Sequence, residues 1–138
     1  MNKQDLMLLS KVRIKEARVL LSAEHFSGAY YLAGYSVECA IKACIAGQIR
    51  SSVVPEKNFG QQFYQHNLEN LVRYAGLWAP LQAAISANRA LSVNWVLVKD
   101  WSEQSRYFHD TSKAQADDLL AAITARKTGI LSWVKSCM

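Results

Sequence analysis

Residues 26–47 are the part of this sequence that most restricts its fold. The segment reads FSGAYYLAGYSVECAIKACIAG, is rich in Ala, and is apolar almost all the way round a helix. A helix of that kind is buried among other helices. Its two charged side chains, Glu38 and Lys42, stand at positions i and i+4 with Glu first, which is the favourable order for an ion pair. The segment therefore predicts a central helix that carries one polar stripe, and its Gly28 and Gly34 predict close approach of a neighbouring helix.

The rest of the chain repeats the helical period. Residues 3–22 predict an amphipathic helix, residues 66–76 a short helix capped by Asn67 and ended by Gly76, and residues 80–90 another. A last helix is predicted from its cap at Ser112 to the C-terminus, after a connector that follows Gly47.

These elements predict an all-α fold, a four- to five-helix antiparallel bundle that forms one domain over residues 1–138. The segment 93–98, VNWVLV, is ambiguous because its β-branched residues suit a strand as well as a short buried helix. No apolar run approaches the roughly 18 residues of a membrane span, and Lys11, Arg13 and Lys15 interrupt the N-terminal apolar stretch. The sequence thus predicts a cytoplasmic protein without a membrane segment.

The three cysteines, Cys39, Cys44 and Cys137, form no CxxC pair and no cluster with His at ligand spacing. This argues against both a disulfide framework and a zinc site, and it predicts buried free thiols at Cys39 and Cys44. Motifs for nucleotide phosphates, metal ions and nucleophilic serines are also lacking. The sequence accordingly predicts neither a cofactor nor a metal.

A formal net charge of +5 is compatible with a nucleic-acid partner without requiring one. On the first helix, Lys11, Lys15 and Arg18 fall within about 60° of each other. Such a stripe is either a solvated helix face or part of a binding site.

Four segments of the chain resemble the HEPN family (higher eukaryotes and prokaryotes nucleotide-binding). They are AGYSVECAIKA at 33–43, HNLENLV at 66–72, WSEQSRYF at 101–108 and GILSWVK at 129–135, and they occur in order along nearly the whole chain. The resemblance implies a four- or five-helix bundle that commonly dimerises. It also implies one of two activities, since family members either cleave RNA or pair with a small nucleotidyltransferase-fold protein, often as toxin and antitoxin.

In the family, the RNase motif is an Arg and a His with four to six residues between them. There the His moves a proton at the RNA 2′-hydroxyl and the Arg neutralises the phosphate, without a metal. This sequence departs from the motif, because only two residues separate Arg106 from His109. The two side chains could still act together, because residues at i and i+3 are neighbours on a helical turn. Arg18 and His25 have six residues between them, but at the end of the first helix, and we interpret that match as coincidence.

The sequence therefore predicts a candidate site at which Glu38 and Lys42 face Arg106 and His109, with Tyr107 available to stack on a base. The alternative is that the same side chains have only structural roles. Arg106 would then be the partner of Glu38, and Glu38 with Lys42 an ion pair that orders helix packing.

Three functions follow from these alternatives. The first is a stand-alone HEPN-like module that binds a nucleotide, RNA or a separate nucleotidyltransferase partner, as in toxin–antitoxin or defence systems. The second is a metal-independent endoribonuclease that uses Arg106 and His109. The third is a helical module whose only use is to form a homodimer.

Overall fold

The computed structural model of the chain describes residues 1–49 and 59–138. These residues form eight α-helices and one 3-10 helix and contain no β-strand, which confirms the predicted all-α fold. The helix count of the described residues exceeds the predicted four to five. The helices are α1 Lys3–Ser22, α2 Phe26–Gln48, α3 Phe59–Phe63, α4 Leu68–Tyr74, α5 Trp78–Ala87, α6 Arg89–Lys99, the 3-10 helix Glu103–Tyr107, α7 Lys113–Thr124 and α8 Ile130–Ser136.

Helix α2 is the centre of the bundle, as the sequence predicted. It packs against α1, α4, α7, α8 and the 3-10 helix. Thirteen of its residues are buried, among them the fully enclosed Val37 and Ile41. Because α2 is covered from several directions, its one polar stripe faces other parts of the protein rather than bulk solvent.

Gly34 of α2 lies directly against the indole of Trp101, the residue that links α6 to the 3-10 helix. A Cβ built on Gly34 would overlap the indole ring. Close approach at this glycine was predicted, but the neighbour is a single aromatic side chain rather than a helix. Trp101 is itself buried and stacks on Tyr31, so the glycine fixes where the chain enters the 3-10 helix.

The ambiguous segment 93–98 is helical, within α6. Leu91, Trp95 and Val98 are its buried side chains, and their i, i+4, i+7 spacing places them on one face of the helix. The packing of this face against α5 and α7 decides the conformation that β-propensity left open.

The predicted single helix from Ser112 to the C-terminus is wrong, because the chain breaks into α7 and α8. Between them Lys127 adopts a left-handed backbone conformation, with φ of 67°, and Gly129 is the N-cap of α8. Ser112 caps α7 as predicted and forms a capping box with Gln115.

Other local predictions are confirmed. Asn67 caps α4 through a hydrogen bond that its side chain accepts from the Asn70 amide, and Gly76 follows α4 with φ of 74°. Cys39 and Cys44 are buried free thiols. The predicted connector lies, for residues 50–58, outside the described part of the chain. Among the helices of the described residues, none has the length and apolar character needed to cross a membrane.

Candidate functional site

Four side chains form what we call the buried polar cluster, in which Glu38 and Lys42 of α2 are buried and His66 and Glu103 are partly exposed. Glu38 is 2% exposed, and its carboxylate accepts a hydrogen bond from the Lys42 ammonium at 3.2 Å. The second carboxylate oxygen lies 3.0 Å from Nδ1 of His66, which precedes the cap of α4. Nε2 of His66 in turn lies 3.1 Å from the carboxylate of Glu103, the first residue of the 3-10 helix. The buried polar cluster therefore connects α2, the start of α4 and the 3-10 helix.

The cluster runs from the core towards the surface. Lys42 is buried and its ammonium lies 5.5 Å from the centre of the Phe63 ring. His66 and Glu103 are partly exposed and line a surface cavity of about 430 Å³. A buried carboxylate without a cationic or hydrogen-bonding partner would be costly, and here Lys42 and His66 supply both.

The cluster is not arranged as a metal centre. Both ring nitrogens of His66 already contact carboxylates. In the described residues, no group of three or more His, Cys, Asp or Glu side chains is placed to hold a metal ion.

Arg106 does not reach this cluster, although the sequence allowed it as the partner of Glu38. The Arg106 guanidinium is at the surface, where it donates a hydrogen bond to the Tyr107 hydroxyl at 2.9 Å and lies 4.9 Å from the centre of that ring. The partners of Glu38 are instead Lys42 of the same helix and His66, which is 28 positions away along the chain. Glu38 and Lys42 therefore lie beneath the surface and do not face Arg106.

His109 also departs from its expected position. The 3-10 helix ends at Tyr107, and Phe108 is extended, with φ of −73° and ψ of 140°. Arg106 and His109 are therefore not neighbours on one helical turn. Both side chains are nevertheless exposed, at opposite ends of a four-residue stretch.

We call residues 106–109 the exposed segment. Tyr107 is 66% exposed and Phe108 is 50% exposed, which is unusual for two adjacent large aromatic side chains. Two contacts fix the position of this segment. Glu103, three residues before it, contacts His66, and the ring centres of Phe108 and Tyr30 are 6.3 Å apart. It presents two basic and two aromatic side chains on an anchored backbone.

His66 is the site residue that sequence reasoning missed, because it was assigned only to the start of a short helix. The HNLENLV segment drew attention to this part of the chain, but no local pattern relates His66 to Glu38. The contact arises only when α4 packs against α2.

The chain matches no protein-family model, and no curated protein sequence and no solved structure shows significant similarity to it. The HEPN resemblance consequently stays a prediction from the sequence motifs.

Proposed function

We propose that this chain is a HEPN-like helical module that binds RNA or a nucleotide through the exposed segment. The observation that carries the proposal is the exposure of Arg106, Tyr107, Phe108 and His109 on one anchored stretch of backbone. The Phe108 ring contacts Tyr30, but Phe108 is still 50% exposed and Tyr107 66% exposed. Ligand binding would make use of this exposed aromatic surface.

The chemistry of the segment suits single-stranded nucleic acid. Aromatic rings stack on bases of any sequence, and each stacked base contributes about 1–3 kcal/mol to binding. A guanidinium offers a planar fork of donors to a phosphate. Tyr107 and Arg106 present these two groups side by side, since their side chains are joined by a hydrogen bond.

The buried polar cluster supports the segment without touching the ligand in this proposal. Glu103 begins the 3-10 helix that carries Arg106 and Tyr107, and His66 ties Glu103 to Glu38 of the central helix. Glu38, Lys42 and His66 are therefore positioning residues.

A metal-independent endoribonuclease is the second candidate. It is favoured by the exposure of both Arg106 and His109, which leaves each free to approach one phosphodiester. In that reaction the His imidazole would take the proton of the 2′-hydroxyl, and the 2′-oxygen would attack phosphorus to form a 2′,3′-cyclic phosphate. The 5′-oxygen would leave as a hydroxyl after it takes up a proton from water. The guanidinium would neutralise the charge that develops on the phosphate.

Partners belong to the same proposal. Helix α6 leaves Val93, Val96 and Leu97 exposed, and an apolar helix face of this kind suits a second copy of the chain. A homodimer through α6, or a separate nucleotidyltransferase-fold protein at the same face, would cover it. Light scattering tests the homodimer, since a dimer has twice the 15.5 kDa mass of the chain.

The deciding experiment measures binding and cleavage together. A labelled single-stranded RNA of mixed sequence is titrated with protein in chelator, its anisotropy is followed, and its integrity is then examined on a gel. We expect Arg106→Ala and Tyr107→Ala each to weaken binding by about tenfold, and the RNA to stay whole. Matched controls are Arg89→Ala and Tyr64→Ala, which remove an exposed cation and an exposed aromatic elsewhere.

Each outcome decides between the candidates. Chelator-resistant cleavage that is lost in Arg106→Ala and in His109→Ala would establish the endoribonuclease instead. Equal binding by the segment variants and their controls would overturn the assignment of the exposed segment. No binding of RNA or of free nucleotides by the unmodified protein would overturn the function itself.

A further inference from the structure

A second surface, remote in sequence from the exposed segment, is more strongly charged. A groove of about 400 Å³ lies between α1 and the turn that joins α7 to α8. Its apolar lining includes the buried Ile14, Ile123 and Leu131. We call it the basic groove because of the cations that line it, which are Lys11, Lys15, Arg18, Arg126, Lys127 and Lys135.

Within the described part of the chain, no carboxylate lines this groove. The whole chain carries a formal net charge of +5, so the residues outside these six cations have a net charge of −1. None of the six forms an ion pair with an acidic side chain of the described residues. The basic excess of the protein is thus concentrated at one concave surface, which increases its attraction for anions.

The fold assembles the groove from two distant parts of the chain. Lys11, Lys15 and Arg18 recur at about one helical turn, so their row extends over about 10 Å of α1. The opposite cations come from the break between α7 and α8 and from α8 itself. The sequence left open whether the basic stripe of α1 is a solvated face or part of a binding site. In the folded chain, a second set of cations lies across the groove from that stripe.

Lys127 stands at a costly backbone position in this wall. Its φ of 67° lies in the left-handed region, which disfavours side chains with a Cβ and favours glycine. The residue at this position is an exposed lysine that lines the groove. The groove thus includes a lysine at a position where glycine would be less strained.

The number of cations indicates the class of ligand. A phosphate group carries at most about two negative charges at pH 7, so six cations along a groove suit several phosphates in a row. Among the described residues, no aromatic or carboxamide side chain lines the groove, so it lacks the side chains that most often stack on a base or read adenine. Lysine is the commoner cation in this groove, and its ammonium contacts phosphates as a point charge, whatever the base sequence of the nucleic acid.

We propose that the basic groove binds a chain of phosphate groups, namely the backbone of a nucleic acid, and supplies most of the electrostatic affinity. The inference deepens the proposed function and rests on it in so far as the phosphates are those of RNA. Inorganic polyphosphate has the same repeating charge without bases. It therefore serves as a probe for the groove alone.

The test uses a pair of double variants that are matched in charge and residue type. Lys15→Gln with Arg126→Gln removes one cation from each wall of the groove. Lys113→Gln with Arg89→Gln removes the same charge from exposed positions elsewhere. Anisotropy of a labelled single-stranded RNA is measured for both from low to high salt, and thermal melting confirms that both fold.

We expect the groove variant to bind RNA at least tenfold more weakly at low salt and to show a shallower salt dependence. Loss of two phosphate contacts lowers the slope of log affinity against log salt by about 1.4 for a single strand. The control variant should keep the slope of the unmodified protein. Equal losses in the two variants would show that the groove is only a solvated basic face, and would overturn the proposal.

The remaining outcomes separate this inference from the proposed function. If the protein binds polyphosphate through the groove but no RNA, the groove is a phosphate-chain site and the RNA function fails. If RNA binding depends on Tyr107 but not on the groove, the function stands and the groove proposal fails. If neither polyanion binds, both fail.

Discussion

The Nδ1 atom of His66 lies 3.0 Å from the carboxylate of Glu38, although the two residues are 28 positions apart in the chain. The other ring nitrogen faces the carboxylate of Glu103 at 3.1 Å. Both contacts are hydrogen bonds only when both nitrogens carry a hydrogen, because carboxylates accept. One imidazole thereby joins the most buried helix of the bundle to the 3-10 helix beneath the exposed segment.

Removing the charge of Glu38 should be strongly destabilising. In Glu38→Gln the ammonium of Lys42, which is 7% exposed, loses its anionic partner. Breaking a buried ion pair from one side costs about 3 kcal/mol or more, because the remaining charge is left uncompensated. Urea denaturation should show this loss in the free energy of unfolding.

The double variant Glu38→Gln with Lys42→Met tests the cause. It removes both charges, so it should recover a large part of the stability that the single variant loses. Glu24→Gln changes an exposed carboxylate and should have little effect. If Glu38→Gln unfolds like Glu24→Gln, the buried pair is not important for the fold.

Gly34 and Gly28 should respond in opposite ways to an added methyl group. In Gly34→Ala the new Cβ overlaps the buried Trp101 indole, and overpacking of this kind costs about 1–3 kcal/mol or more. In Gly28→Ala the nearest atom is a methyl of the Leu20 side chain at 3.2 Å, which can move. Alanine gains up to about 1 kcal/mol over glycine inside a helix. Thermal melting should therefore show a lower midpoint for Gly34→Ala and an unchanged or higher one for Gly28→Ala.

A smaller side chain opposite the glycine provides the cross-check. Trp101→Leu should destabilise alone but should make Gly34→Ala less harmful in the double variant. Additive losses would show that the glycine and the indole are not coupled.

Local sequence patterns were sufficient to predict those helices whose apolar period or capping residue is uninterrupted along the chain. The apolar, Ala-rich run of 26–47 identified α2 to within one residue, and the caps Asn67 and Ser112 were correct. The break after α7 was missed because the apolar positions on either side of Lys127 keep a helical period. The left-handed conformation of Lys127 that interrupts it has no sequence signal, since glycine is the usual residue there.

The site was predicted less well because its contacts are long-range. Glu38 and Lys42 could be paired from their i, i+4 spacing alone. The link of Glu38 to His66, and the opposition of Arg126 to the basic stripe of α1, depend on how helices pack. One alternative paired Arg106 with Glu38 because both lie in segments that resemble the HEPN family. Such a resemblance does not tell whether an arginine at the surface can reach a buried carboxylate.

Replacing Lys127 by glycine should separate folding from binding. Glycine adopts a φ of 67° without the steric cost that a Cβ brings, which is about 1 kcal/mol. Lys127→Gly should therefore raise the free energy of unfolding while it weakens the binding of a labelled polyanion to the basic groove. Glu24, with φ of 64°, is the matched control outside the groove.

Glu24→Gly should thus gain similar stability without losing affinity. If Lys127→Gly binds the polyanion as tightly as the unmodified protein does, the lysine has no part in the groove. If neither variant gains stability, the left-handed conformation carries no cost at these two turns.

Burial of the Cys39 thiol should make the protein less stable at alkaline pH. Burial, followed by the nearby Glu38 carboxylate, raises the pKa of Cys39 from 9.0 to about 11. Between these values the unfolded chain ionises its thiol while the folded chain keeps the proton. The unfolded state then binds fewer protons, so stability falls as pH rises above 9, by up to about 2–3 kcal/mol near pH 11.

Cys39→Ala isolates this contribution. The cavity that it leaves lowers stability by the same amount at every pH, whereas the alkaline loss that depends on Cys39 disappears. Burial also raises the pKa of Cys44, Tyr30 and Tyr35, so some decline should persist in the variant. Urea denaturation at pH 7, 9, 10 and 10.5 should therefore give a shallower decline for Cys39→Ala than for the unmodified protein. Parallel declines in the two proteins would contradict a raised pKa at Cys39, because the variant has no thiol there to ionise.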